Sequence, residues 1–317
     1  MRCFLSLTGL IKIGSFLKLL RPEHWTKNLF IFFPVFFSGQ LLNISVLLSC
    51  AVAFIAFSLV ASSIYCFNDI KDVEVDRQHP EKCKRPIAQG IVSIKAAYVM
   101  MVVCLLMSLG IIYSFFGWNA HHTIMKLVLF YYVMDIAYCI KLKQLVIIDV
   151  MIISIGFVLR ILVGGATIGT ECSEWMIIMT FLLALFLAFA KRRDDVILYV
   201  NTGVTHRKNT DRYNLEFMNQ VITVIATITI IAYIMYTLSP YVTDYYNSRY
   251  VYLTAIFVLV GIIRYLQVTI VDLKSGSPTK ILLHDRFIQG CIIGWVILFL
   301  MIIYSKKIIA ILRTVIS

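Results

Sequence analysis

Asn68, Asp69, Asp72 and Asp76 crowd into residues 68–76 of a 317-residue chain that has only 17 acidic side chains. Asn68, Asp72 and Asp76 recur at i, i+4 and i+8, and Asp69 precedes Asp72 by one further helical turn. On a continuing helix all four share one face. Like charges at that spacing repel and weaken the helix unless a cation neutralises them. Carboxylate and amide oxygens are hard ligands, suited to Mg2+ or, as a substitute, Mn2+. Mg2+ also tends to share its shell with substrate phosphates, so the pattern reads as one half of a Mg2+–diphosphate site. A solvated helix end with ordinary acids is the plain alternative. A basic half follows at once in Arg77, Lys82, Lys84 and Arg85, with Pro86 and Gly90 marking a turn. Arginine supplies the fixed, bidentate donors that phosphates need. A cytoplasmic charge bias alone would account for Lys82 and Lys84 equally well.

Further cations stand in three short polar stretches: Arg21, Lys27 and Asn28 in RPEHWTKN, Lys141 and Lys143 in YCIKLKQ, and Lys191, Arg192 and Arg193 in AKRRDD. Interfacial anchoring or snorkelling would explain the first two singly. Taken together, they ring one cavity mouth with positive charge, as a polyanionic substrate requires. Arg160 lies inside an apolar run, where a charge is costly and marks a ligand pathway or a buried pair. It is read as facing an anionic ligand, with Asp135 on the preceding run as the possible structural partner and Asp149 about three turns away along the same helix.

The elements that carry these residues are membrane helices. Sixty per cent of the chain is hydrophobic and only 15% is charged, well away from soluble composition. About nine runs approach the roughly 20 apolar residues of a helical span, near 29–48, 49–67, 96–116, 124–140, 145–168, 175–190, 216–238, 250–266 and 288–304. An all-α, polytopic membrane protein is expected, with residues 1–27 as an amphipathic interfacial segment and 28–317 as one transmembrane domain. Most of the 29 lysines and arginines fall in the N-terminal segment and the connections 68–95, 141–144, 191–215 and 267–287. The positive-inside rule puts that face in the cytoplasm. The eight cysteines and six histidines are scattered, which gives neither a disulfide frame nor a thiolate or imidazole metal site.

NDIKDVEVDRQHPEKCKRPIAQG after the second run, with YCIKLK closing the fourth, resembles the UbiA superfamily of membrane prenyltransferases. The likeness is greatest to its polyprenyl-phosphate (decaprenyl-phosphate) phosphoribosyltransferase branch. RPEHWTKN, LKQLVIIDVMIISIGFVLRILVGG, KRRDD and ILLHDRFIQ are similar to that branch's other motifs. Asp195 stands where the branch carries glutamate. Aromatic-acceptor relatives carry a second aspartate-rich motif after the sixth span, and here that stretch opens on cations.

The resemblance implies a bundle of about nine helices around a central cavity open to the cytoplasmic side, in the inner or plasma membrane. It implies transfer of 5-phosphoribose from phosphoribosyl diphosphate to a polyprenyl phosphate, with release of diphosphate, in cell-envelope synthesis. Asn68, Asp72 and Asp76 would hold the Mg2+, and Asp69, Asp72 and Asp76 form the catalytic set. Lys27, Asn28, Arg77, Arg85, Lys141, Lys143, Arg160, Lys191, Arg192 and Tyr213 form the substrate-binding set. No nucleic-acid partner is expected, and self-association into a homo-oligomer stays open. Two other readings stand beside this one: a prenyltransferase joining a prenyl diphosphate to an aromatic or other small acceptor, and a transporter or binder of lipid phosphates.

Overall fold

The computed structural model describes residues 14–78, 82–202, 212–272, 281–282 and 284–316. Their regular elements are all helices, and the chain forms two compact units, 1–172 and 173–317. Among the described residues, eight helices are long and apolar enough to cross a membrane.

In the first unit, residues 14–20 are helical. A 3-10 helix Pro22–Phe32 runs into the short α1, Phe33–Phe37. Then come α2, Ile44–Lys71, and a single turn α3, Val73–Gln78. They are followed by α4, Ile94–Phe115, α5, Trp118–Ile140, and α6, Ile148–Ile168. Asn43 caps α2 by accepting from the Ser45 and Val46 amides, and Ser93 caps α4 through the Ala96 amide. Each cap satisfies amides that the helix cannot. The core between these helices gathers Ile31, Phe57, Val60, Ile124, Tyr131, Leu159 and Val163. A second cluster joins fully buried Leu19 to Cys66, Ile70, Val73, Ile87 and Val92 around the polar end of α2.

The first expected span, 29–48, is not one helix. Gly39 takes φ 67° and interrupts the run. Yet the stretch still covers the height of the unit. Arg21 reaches Asp69 near the C-terminal end of α2, while α2 begins at the other end, about 42 Å away at 1.5 Å per residue. Residues 22–43 therefore make the passage as a 3-10 helix, a short α-helix and a loop. Close packing holds this irregular strip in place: a Cβ on Gly164 of α6 would collide with the Ile31 carbonyl oxygen. Of the interfacial segment expected over 1–27, residues 1–13 lie outside the described residues, and 14–20 pack Leu19 into the second cluster.

In the second unit, α7, Glu174–Thr202, pairs with α8, Leu215–Leu238. The short α9, Pro240–Tyr246, leads through a 3-10 turn to α10, Ala255–Leu266. A π-helical turn, Gln267–Val271, ends that helix, and α11, Arg286–Ile316, closes the chain. Phe186, Met218, Ile222 and Phe299 are its largest fully buried side chains.

Candidate active site

The acidic face forms where α2 stops. Asp72 sits at the C-cap with φ −96° and ψ 6°, and the Asp76 amide donates to the Asp72 carbonyl at 2.8 Å. The helix therefore bends without losing the spacing of Asn68, Asp72 and Asp76. Carboxylates at a helix C-terminus meet the negative end of its dipole as well as each other. Basic side chains offset both effects. Arg21 donates to Asp69. One Arg85 amino group bridges Asp69 at 3.0 Å and Asp76 at 2.6 Å. Lys143 donates to both Asp72 oxygens, at 2.6 and 2.9 Å. Asp69 and Asp76 are each 2% exposed and Asp72 is 29% exposed, so the outermost carboxylate is Asp72. Arg85 is aimed by the turn after it, where the Ile91 and Val92 amides donate to the Pro86 carbonyl and Gly90 takes φ 75°.

The other cations of this unit are placed differently. Arg77 is exposed and turns to Glu74 at 2.9 Å and to the Ala88 carbonyl, away from Asp69. Lys141 is exposed at the C-cap of α5. Arg160 is 5% exposed and its donors go to Asn28 at 2.8 Å, the Gly156 carbonyl and the Tyr131 hydroxyl at 3.0 Å. Its guanidinium also lies over the rings of Phe57, Tyr131 and Phe157. Asn28 passes the network to Ser58 at 2.8 Å. Arg160 and Asn28 thus tie the irregular 22–43 strip to α2, α5 and α6, which favours bracing over ligand contact. Lys27 and Arg160 both act on Asp135 of α5.

In the second unit, Arg192 is 3% exposed and pairs with Asp195 at 2.8 Å. Arg193 donates to Asn219 at 2.6 Å and to the Thr269 carbonyl of the π-turn at 2.7 Å, fastening α7 to α8 and to the end of α10. Lys191 is exposed. Tyr213 is buried and stacks on Phe217 at 6.2 Å. Arg264 holds Asp285 through two hydrogen bonds, at 2.8 and 3.1 Å. Those bonds keep the Asp285 carboxyl below the usual range.

The UbiA prenyltransferase family model matches residues 29–288. This chain belongs to that family. Decaprenyl-phosphate phosphoribosyltransferase of Corynebacterium glutamicum is 31% identical over 292 residues, covering 91% of this chain and 86% of that protein. The protein of the same name from Mycolicibacterium smegmatis is 31% identical over 294 residues, with 90% and 91% covered. A solved UbiA homolog from Archaeoglobus fulgidus, bound to GPP and Mg2+, superposes with a TM-score of 0.66 at 18% identity, covering 92% of this chain and 98% of that one. The same homolog bound to DMAPP and Mg2+ gives 0.67.

In this UbiA-family chain, Arg21, Tyr131 and Ser58 complete networks whose sequence signal points elsewhere. Arg21 carries a positive φ of 51°, stacks over Tyr65 and finds Asp69 48 residues later. Nothing local in RPEHW announces that partner. For a divalent cation, Asn68, Asp72 and Asp76 would be the oxygen donors of the kind a hard metal takes. Among the described residues no three His, Cys, Asp or Glu side chains stand together as a ready-made metal cage. The donor set suits a cation that completes its shell with phosphate and water, as Mg2+ does.

Proposed function

We propose that this UbiA-family membrane protein transfers 5-phosphoribose from phosphoribosyl diphosphate to a polyprenyl phosphate, releasing diphosphate. The observation that carries this reading is the match over some nine-tenths of the chain to relatives named for that reaction. The site chemistry supports it, because Arg21, Arg85 and Lys143 converge on one acidic face. Asn68, Asp72 and Asp76 would hold the Mg2+. The chemistry a divalent cation supplies there is neutralisation of charge on the leaving diphosphate.

Asp72 is the carboxylate open enough to take part directly. Asp69, enclosed by Arg21 and Arg85, orients those guanidinium groups. Arg85 and Lys143 offer donors to the phosphates of the sugar donor. The lipid phosphate arrives already anionic, so it needs placement and charge balance more than a general base. Lys27, Lys141, Lys191, Arg192 and Tyr213 keep a substrate-binding assignment on residue type alone. Arg160 and Asn28 are assigned to bracing. The polar end of α2 is assigned to the cytoplasmic side of the membrane by its charge.

Purified protein given phosphoribosyl diphosphate, Mg2+ and a polyprenyl phosphate should release diphosphate and form a phosphoribosylated lipid. If neither product forms while a prenyl diphosphate is joined to an aromatic acid, the protein is a prenyltransferase of the other type.

A further inference from the structure

Three carboxylates and three basic groups face one another at the end of α2: Asp69, Asp72 and Asp76 against Arg21, Arg85 and Lys143. Their formal charges cancel. A bare dication arriving at Asp72 must displace an ammonium bonded to both carboxylate oxygens. A bare diphosphate meets cations whose donors are already directed at carboxylates. A dication and a diphosphate arriving together supply both missing partners at once. The metal would take the place of Lys143 on Asp72, and the freed ammonium would be left to donate to a phosphate oxygen.

The pairs differ in how readily they exchange. Arg85 is clamped between two carboxylates that are each 2% exposed. Lys143 and Asp72 are 22% and 29% exposed, and Lys143 stands on the short 3-10 turn Leu142–Gln144 at the end of a flexible stem. Water can follow its movement, so separation costs little.

Resting on the metal–diphosphate reading above, we infer that Lys143 is an exchange group. It occupies Asp72 until cation and diphosphate enter together, and so couples the binding of each to the other. The coupling is reciprocal by linkage: the factor by which diphosphate tightens metal binding equals the factor by which metal tightens diphosphate binding.

Full-length protein in detergent tests this by equilibrium dialysis with Mn2+ as the probe, alone and with inorganic diphosphate, bound metal being read by electron paramagnetic resonance. In the unsubstituted protein, diphosphate should tighten Mn2+ binding about tenfold or more, within the usual range of coupling. Lys143→Met should bind Mn2+ alone about fivefold more tightly, the scale of a part-exposed ion pair, and bind the Mn2+–diphosphate combination more weakly. Lys143→Arg should keep the original pattern. A merely structural lysine would weaken both kinds of binding together, and that result overturns the inference. Equal Mn2+ affinity in the unsubstituted protein and Lys143→Met also overturns it while leaving the metal site standing. Failure of both folded proteins to bind Mn2+ under any condition, with unchanged melting curves, overturns the inference and the metal–diphosphate reading beneath it.

Discussion

Asp69 belongs to both the acidic spacing and the buried wall, and its surroundings decide how it works. It is 2% exposed and accepts from Arg21 and Arg85, so it lies behind Asp72 as the site is approached. Arg21 holds a left-handed backbone, φ 51° and ψ 60°, a conformation that costs a non-glycine residue about 1–2 kcal/mol. The Asp69 bond and the Tyr65 ring offset that cost. Replacing Asp69 by Asn leaves two guanidinium groups without their shared carboxylate. Because both arginines keep some contact with water, the loss should be about 2–3 kcal/mol, below that of a fully enclosed pair. Thermal unfolding in detergent should show a clear drop in midpoint, and turnover should fall through a higher KM for the sugar donor. An unchanged midpoint with kcat abolished would instead place Asp69 at the reacting atoms.

At the scale of elements, the passage over 22–43 works because α6 presents no side chain where the strip crosses it. A Cβ at Gly164 would run into the backbone oxygen of Ile31, and a backbone atom cannot swing aside as a flexible side chain does. Gly164→Ala should therefore push the strip away and strain the Arg160–Asn28 bond just beside it, at a cost of about 1–3 kcal/mol. A melting curve unaltered by the substitution would show that the strip tolerates displacement. Gly294→Ala offers a contrast, since its Cβ would meet the Phe257 ring rather than backbone, and a ring can shift. The sequence makes most of these elements visible, because uncharged apolar runs over 49–67 or 96–116 allow little besides a spanning helix. It shows the break in 29–48 only in Pro34 and in Ser38, Gly39 and Gln40, because a 3-10 helix and an α-helix of the same apolar residues have the same hydropathy. The close approach of Ile31 to Gly164 becomes visible only in the fold. The acidic face was legible for the opposite reason, since Asn68, Asp72 and Asp76 lie within one local stretch of helix. The partners of Arg160 were not, because Asn28 is 132 residues away and a charge inside a span announces a need without naming what meets it.

For the whole molecule, the direction proposed for the site rests on charge and chain alternation. The end of α2, Arg85 just after the basic turn Lys82–Lys84, and Lys143 are joined by the ion pairs of Asp69, Asp72 and Asp76, so they share one end of the first unit. The turn between α4 and α5, at Phe116 and Gly117, lies at the other end because each helix crosses the full height. Lysine and arginine concentrate at the first end, and the charge bias of insertion is the ground on which the proposal above assigns that end to the cytoplasm. Cys83, on that basic turn and only partly buried, is a native reporter of this arrangement. Trp118→Cys, at a position 72% exposed, reports on the opposite end. In a background where each is the sole cysteine, a membrane-impermeant maleimide should label Cys83 in inside-out vesicles and not in intact cells. The Trp118→Cys variant should give the reverse. Labelling of Cys83 from outside intact cells would turn the site to the external face. Phosphoribosyl diphosphate is a charged cytoplasmic metabolite that does not cross a bilayer unaided, so that result would remove the proposed donor and leave a lipid-side activity to be found.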